Sequence, residues 1–132
     1  MKKRALIITS CLMLISVLTF AQAKPTIQFQ SKVHDYGKIK EADGVANGVF
    51  TFTNIGNDTL LITAVRPSCG CTASKYTKDP IAPGGTGTIE AGYNAAGRPG
   101  PFNKAITVTT NDPDNASIVL TIKGEVIPKA KS

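Results

Sequence analysis

Cys69 and Cys71, separated by Gly70 in the string Ser68-Cys69-Gly70-Cys71-Thr72, are the residues whose type and spacing most invite chemistry. In a regular strand, two thiols two positions apart share a face with Cα atoms about 6.6 Å apart. That is near the upper limit at which a disulfide closes. Gly70 is expected to supply the backbone freedom for a kink that brings them together. Three readings stand open: a disulfide or dithiol formed in an oxidising compartment, a soft-metal thiolate pair, and two buried or partly buried free thiols. The first has a bland form, a rigid bend, and a redox form, thiol exchange, which needs an exposed sulfur of lowered pKa. Arg66 and Lys75 are near enough in sequence to lower it. A bridge across so short a loop removes little chain entropy, about 1.6 kcal/mol by extrapolation and before strain is subtracted.

A metal held by Cys69 and Cys71 needs more ligands than two sulfurs, and the one histidine of the chain is His34, in Val33-His34-Asp35-Tyr36-Gly37. Cu(I) tolerates a small set of soft ligands, whereas structural zinc ordinarily takes four. His34 reads more simply as a surface or turn residue, so Cys69, Cys71 and His34 are weak metal candidates. No Ser-His-Asp or paired-carboxylate arrangement follows from the spacing. The expectation is no catalytic residue, no enzyme activity and no cofactor, with thiol exchange as the enzymatic alternative.

The elements that must position these residues alternate with period two. Ile27 and Phe29 alternate with Gln28 and Gln30, and a second extended piece runs from Val33 to Ile39. Phe50 and Phe52 share one face of Val45 to Thr53, and Leu60 to Val65 is apolar almost throughout, as in a strand buried on both sides. Ile89, Ala91 and Tyr93, then Phe102, Ile106 and Val108, then Ile118, Leu120, Ile122 and Val126 complete about seven strands. Between them lie turn signals such as Gly56-Asn57-Asp58, Pro83-Gly84-Gly85 and Asp112-Pro113-Asp114-Asn115. No segment sustains a helical period. Seven short strands imply an all-β, immunoglobulin-like, two-sheet antiparallel sandwich. Phe50, Phe52, Leu60, Ile62, Ile106, Val108, Leu120 and Ile122 are its expected core.

The N-terminus has the order of a secretory signal peptide: Lys2, Lys3 and Arg4, an apolar or small run from Ala5 to Phe20, then Ala21-Gln22-Ala23. The run is shorter than a membrane span and holds Thr9, Ser10, Ser16 and Thr19. Cleavage after Ala23 divides the chain into a signal peptide, 1–23, and one domain, 24–132, with Cys11 as signal-peptide filler. The signal takes three of fifteen basic residues and none of nine acidic ones, leaving a net charge near +3. The remaining lysines are scattered, which removes the warrant for nucleic-acid binding.

A sandwich of the antibody type carries a core Trp and a disulfide between well-separated cysteines, and this chain has no Trp. Its pattern is similar instead to periplasmic-chaperone-like and major-sperm-protein-like sandwiches. The strings Phe50-Thr51-Phe52-Thr53-Asn54-Ile55-Gly56, Ser68-Cys69-Gly70-Cys71-Thr72, Pro80-Ile81-Ala82-Pro83-Gly84-Gly85 and Leu120-Thr121-Ile122-Lys123-Gly124 resemble domain-of-unknown-function family 1573 from about Ile27 to Val126. That resemblance implies an exported bacterial immunoglobulin-like domain, common in Bacteroidetes, and no transferable activity. In that setting Asp58-Thr59-Leu60 has the form of a short O-glycosylation acceptor, marking Thr59. Asn57-Asp58-Thr59 and Asn115-Ala116-Ser117 read as turn chemistry and not as N-glycan acceptors. The expectation is a periplasmic or secreted interaction or scaffolding module. Its partner would be another envelope or extracellular protein, with no transmembrane span after cleavage and no nucleic acid. A redox-active dithiol and a Cu(I)-binding envelope protein are the rivals.

Overall fold

The computed structural model describes residues 22–70 and 72–130; residues 1–21, which include the expected signal-peptide run and Cys11, and Cys71 lie outside the described residues. Eight strands follow in order: β1 (Ile27–Phe29), β2 (Val33–Lys40), β3 (Val45–Asn54), β4 (Ile62–Pro67), β5 (Thr72–Tyr76), β6 (Thr86–Asn94), β7 (Gly100–Thr110) and β8 (Ser117–Ile127), with a 3₁₀ turn at Glu41–Asp43. They form two four-stranded sheets, β1-β3-β6-β5 and β2-β8-β7-β4. The eighth strand, absent from the sequence reading, is β5. Its Thr-Ala-Ser-Lys-Tyr lacks an apolar alternation, because it is a short edge strand on β6.

All pairs are antiparallel except β2 with β8, which run parallel. β1 pairs with β3 in the first sheet, the chain steps across at Ser31 and Lys32, and β2 continues along the edge of the second sheet beside β8. One extended run is thereby shared between both sheets, which a period-two pattern cannot reveal.

The segment Leu60 to Val65 departs from the expectation of a strand buried on both sides. Leu60 makes an isolated bridge with Ile81, β4 starts only at Ile62, and Leu61 and Thr63 face solvent. As an edge strand covered on one face, it buries alternate residues. The expected core is otherwise in place: Phe50, Phe52, Leu60, Ile62, Ile106, Val108, Leu120 and Ile122 are each at most 7% exposed. Between the sheets Tyr93 of β6 stacks on Phe102 of β7, with centroids 3.8 Å apart and planes 9° from parallel. The two faces interdigitate there as in other aligned sandwiches.

Candidate functional site

β4 is the edge of one sheet and β5 the edge of the other, so the link between them carries the chain across the roughly 10 Å that separates packed sheets. Ser68 anchors the crossing: its N–H donates to the Ala105 carbonyl at 2.8 Å, and its Oγ accepts from the Ala105 N–H at 3.2 Å. The Thr72 N–H donates to the Cys69 carbonyl at 3.3 Å, closing a tight turn. Cys69 is disulfide-bonded and half-buried against the core. Gly70 does not play the part expected of it. Its φ lies outside the left-handed region and an added Cβ would meet nothing within 4 Å, so the hydrogen bonds shape the corner, not glycine freedom. Arg66 and Lys75 point outward from two different sheets, opposite Thr107 and Glu90, and do not converge on Cys69.

His34 is not in a turn. It lies within β2, half-buried, with its ring edge-on to Tyr36 at 4.6 Å and to Phe50 at 6.1 Å. The imidazole fills the space a side chain at Gly48 would need: a Cβ there would stand 2.6 Å from His34 Cδ2. Strands β8 and β7 separate β2 from β4, so three strand spacings, about 14 Å, keep His34 from the Cys69 corner. The structure keeps His34 apart from Cys69, and among the described residues no group of three or more His, Cys, Asp or Glu could hold a metal. Thr59 stands exposed beside Asp58, whose Oδ1 accepts its N–H at 2.8 Å.

Two buried polar residues escaped the sequence reading, and both lie at one end of the sandwich. The Asn54 side chain accepts from the Thr26 and Gly56 amides at 3.3 and 3.0 Å and donates to the Asp58 and Ile81 carbonyls at 2.7 and 2.9 Å. Asp112, fully buried, accepts from the Ile27 amide at 3.0 Å and from Asn115 Nδ2 at 3.1 Å through Oδ2, and from the Asp114 amide at 2.9 Å through Oδ1. Burial pushes this carboxyl up, but the donors outweigh it and hold it below the usual range. Asp112 stood in the turn string Asp112-Pro113-Asp114-Asn115, read there only as a turn former, and Asn54 only in the string Phe50 to Gly56 that carries the family resemblance. Elsewhere, burial raises the Tyr36 hydroxyl to about 12, and that hydroxyl donates to the Ala91 carbonyl at 2.7 Å.

A family model described as "Protein of unknown function (DUF1573)" matches residues 27–126, from the start of β1 to the penultimate residue of β8. The chain belongs to the DUF1573 family. No curated protein matches this DUF1573 chain in sequence. In fold it is similar to a protein of unknown function from Porphyromonas gingivalis W83, with TM-score 0.67 and 17% identity over 78% of this chain, which spans 47% of that one. It is also similar to the ASH/PapD-like domain 7 of human CEP192, with TM-score 0.62 and 7% identity over 81% of this chain and 89% of that one. A third similar fold is the YadV chaperone, with TM-score 0.50 and 17% identity over 79% of this chain and 52% of that one. Among the described residues no helix is long and apolar enough to cross a membrane.

Proposed function

We propose that this DUF1573 domain is an exported, non-catalytic interaction or scaffolding module that binds another envelope or extracellular protein. The observation that carries the proposal is where the chemistry-bearing side chains are used. Cys69 is spent in a disulfide at the intersheet corner, His34 is packed between the sheets, and Asn54 and Asp112 serve the fold. What remains for function is the sheet edges, β1 and β5 of one sheet and β2 and β4 of the other, together with the part of β3 that the short β1 leaves unpaired, and an open strand edge is a template for another extended chain. The fold likeness to a chaperone and to a PapD-like domain supports the same reading.

In this reading Cys69 bonds Cys71, two positions along, after export into an oxidising compartment, and the bridge is structural. Cys69→Ser with Cys71→Ser should leave the melting temperature nearly unchanged, because the loop is short and Ser68 and Thr72 already shape the corner. Native protein should resist thiol alkylation until reduced. The same protein, immobilised, should retain an envelope protein in competition with the free chain. Fast exchange of the reduced protein with a small disulfide would move the function to a redox dithiol. Stoichiometric Cu(I) binding lost in the double variant would move it to metal handling.

Cleavage after Ala23 fits the way Lys24 is held. Its N–H donates to Asn57 Oδ1 at 2.8 Å, its carbonyl accepts from the Asn57 N–H at 3.0 Å, and its Nζ pairs with Asp114 Oδ2. Hydrogen bonding to Asp114, then its charge, raises the Lys24 pKa, so that contribution is present below the ordinary lysine value and lost as pH rises through the raised one. Intact-mass measurement of periplasmic or secreted protein should give a chain beginning at Lys24, with any glycan on Thr59. A chain beginning at Met1 overturns the leader, and an unmodified Thr59 overturns that site.

A further inference from the structure

The strand edges are not equivalent, and β1 is only three residues long. Along β2 the pairing is irregular between Asp35 and Lys38, and Lys38 and Lys40 line the edge. β4 carries a register shift after Ile62 and ends in Arg66-Pro67, and β5 is only five residues long with Lys75 in it. Bulges, lysines, prolines and short length are the devices by which sheets refuse further strands. β3 lacks them. β1 covers only Phe52 to Asn54, so no strand of the sheet lies beside Val45-Ala46-Asn47-Gly48-Val49-Phe50, a stretch without charge or proline and in unbroken register with β6.

The phase of β3 says which groups this edge offers. The Thr51 carbonyl accepts from Gln30 on the β1 side, whereas the Gly44 carbonyl accepts from Ala95 on the β6 side. Two-residue alternation therefore aims the backbone N–H and C=O groups of Val45, Asn47 and Val49 away from β6, toward the open edge. The Val45 and Val49 side chains stand on the outer face, 53% and 50% exposed. At the same edge, between β2 and the start of β3, lies a cleft of about 310 Å³ bounded by Ile39, Gly44, Val45 and Ala46, with Lys38, Lys40 and Asp43 as its charged rim.

We infer that the β3 edge from Val45 to Val49 takes an added strand from an extended polypeptide segment, with an apolar side chain opposite Ala46 entering the cleft over Ile39. The inference rests on the interaction-module reading and names the surface and the occupant. The cleft decides against a second copy of this chain. Its β3 could pair edge to edge, but its inward side chains, Phe50 and Phe52, are buried in its own core and cannot fill the cleft of another molecule. An extended segment that belongs to no sheet has free side chains on both faces. Opposite residues of paired strands share a face, so apolar residues at every second position serve the cleft, while the intervening ones meet Val45, Asn47 and Val49.

The test uses the full chain, purified after export, and a fluorescent ten-residue peptide in which valine alternates with threonine, with an aspartate at each end for solubility. Fluorescence anisotropy should show saturable binding. A peptide with lysine in place of every valine should bind at least tenfold more weakly. Asn47→Pro removes an N–H that points away from β6 and should weaken binding at least tenfold. Val49→Lys, at a half-exposed position opposite Glu90, should do the same while the melting temperature stays within a few degrees of the parent. Equal binding to Asn47→Pro, to Val49→Lys and to the parent overturns the β3 assignment and leaves the interaction-module reading standing. Concentration-dependent dimers abolished by Asn47→Pro, without peptide binding, replace the extended segment by a second copy. Absence of binding by the whole panel overturns the inference, whereas retention of an envelope protein by Asn47→Pro and parent alike moves the interface to another edge.

Discussion

Phe52→Ala is expected to destabilise the domain by about 3–5 kcal/mol, read from the midpoint and slope of urea denaturation. Phe52 is fully buried, packs its ring 5.5 Å from that of Phe29, and sits directly across the β3–β6 ladder from Gly87. A Cβ at Gly87 would lie 2.4 Å from Phe52 Cζ and 2.8 Å from Ile81 Cδ1, so the glycine exists to admit the ring. Removing the ring leaves a cavity walled by two ladders that cannot close on it, which places the cost in the upper part of the range for aromatic truncation. The pairing also predicts coupling. Gly87→Ala alone should destabilise by overpacking, yet added to Phe52→Ala it should cost less than alone, because its methyl enters the vacated space. A loss below about 1 kcal/mol for Phe52→Ala would mean that the sheets collapse onto each other.

The alternation of Phe50 with Phe52, of Ile106 with Val108 and of Leu120 with Ile122 was legible because each strand buries one face, and period two is then imposed by burial itself. β5 was not legible because an edge strand with one neighbour can be built from Thr72, Ser74 and Lys75. The parallel seating of β2 on β8 follows from where the chain crosses between sheets, a three-dimensional fact that no local pattern encodes. The corner at Cys69 was found from residue type, but its cause was misassigned: Ser68 and Thr72 shape it through hydrogen bonds, and Gly70 is conformationally ordinary. His34 was misplaced for a related reason. The space that accepts its ring is created by Gly48 on another strand of the other sheet.

Asp112 carries the second large effect, and its pH dependence separates it from ordinary packing. Its carboxylate takes the Ile27 amide at the start of β1, the Asn115 side chain and the Asp114 amide, while its own N–H donates to Thr110 Oγ1 at 3.0 Å. One buried charge thereby ties the first strand to the turn between β7 and β8. Asp112→Ala should cost about 3 kcal/mol, since hydrogen bonds to a charged acceptor are lost and the Ile27 N–H is left without its partner. Because the carboxyl is held below its usual range in the folded chain, the unfolded chain binds the proton more readily. The stabilisation is therefore fully present above the ordinary aspartate value and is lost as pH falls through the depressed one. Asp112→Asn keeps the shape but cannot ionise, and its amide opposes one of the donors it replaces. The stability difference between parent and Asp112→Asn, measured by urea denaturation, should be largest near neutral pH and shrink on acidification. A difference that stays constant with pH would mean that the network is held by the neutral acid, and that hydrogen-bond geometry alone, without the charge, anchors β1.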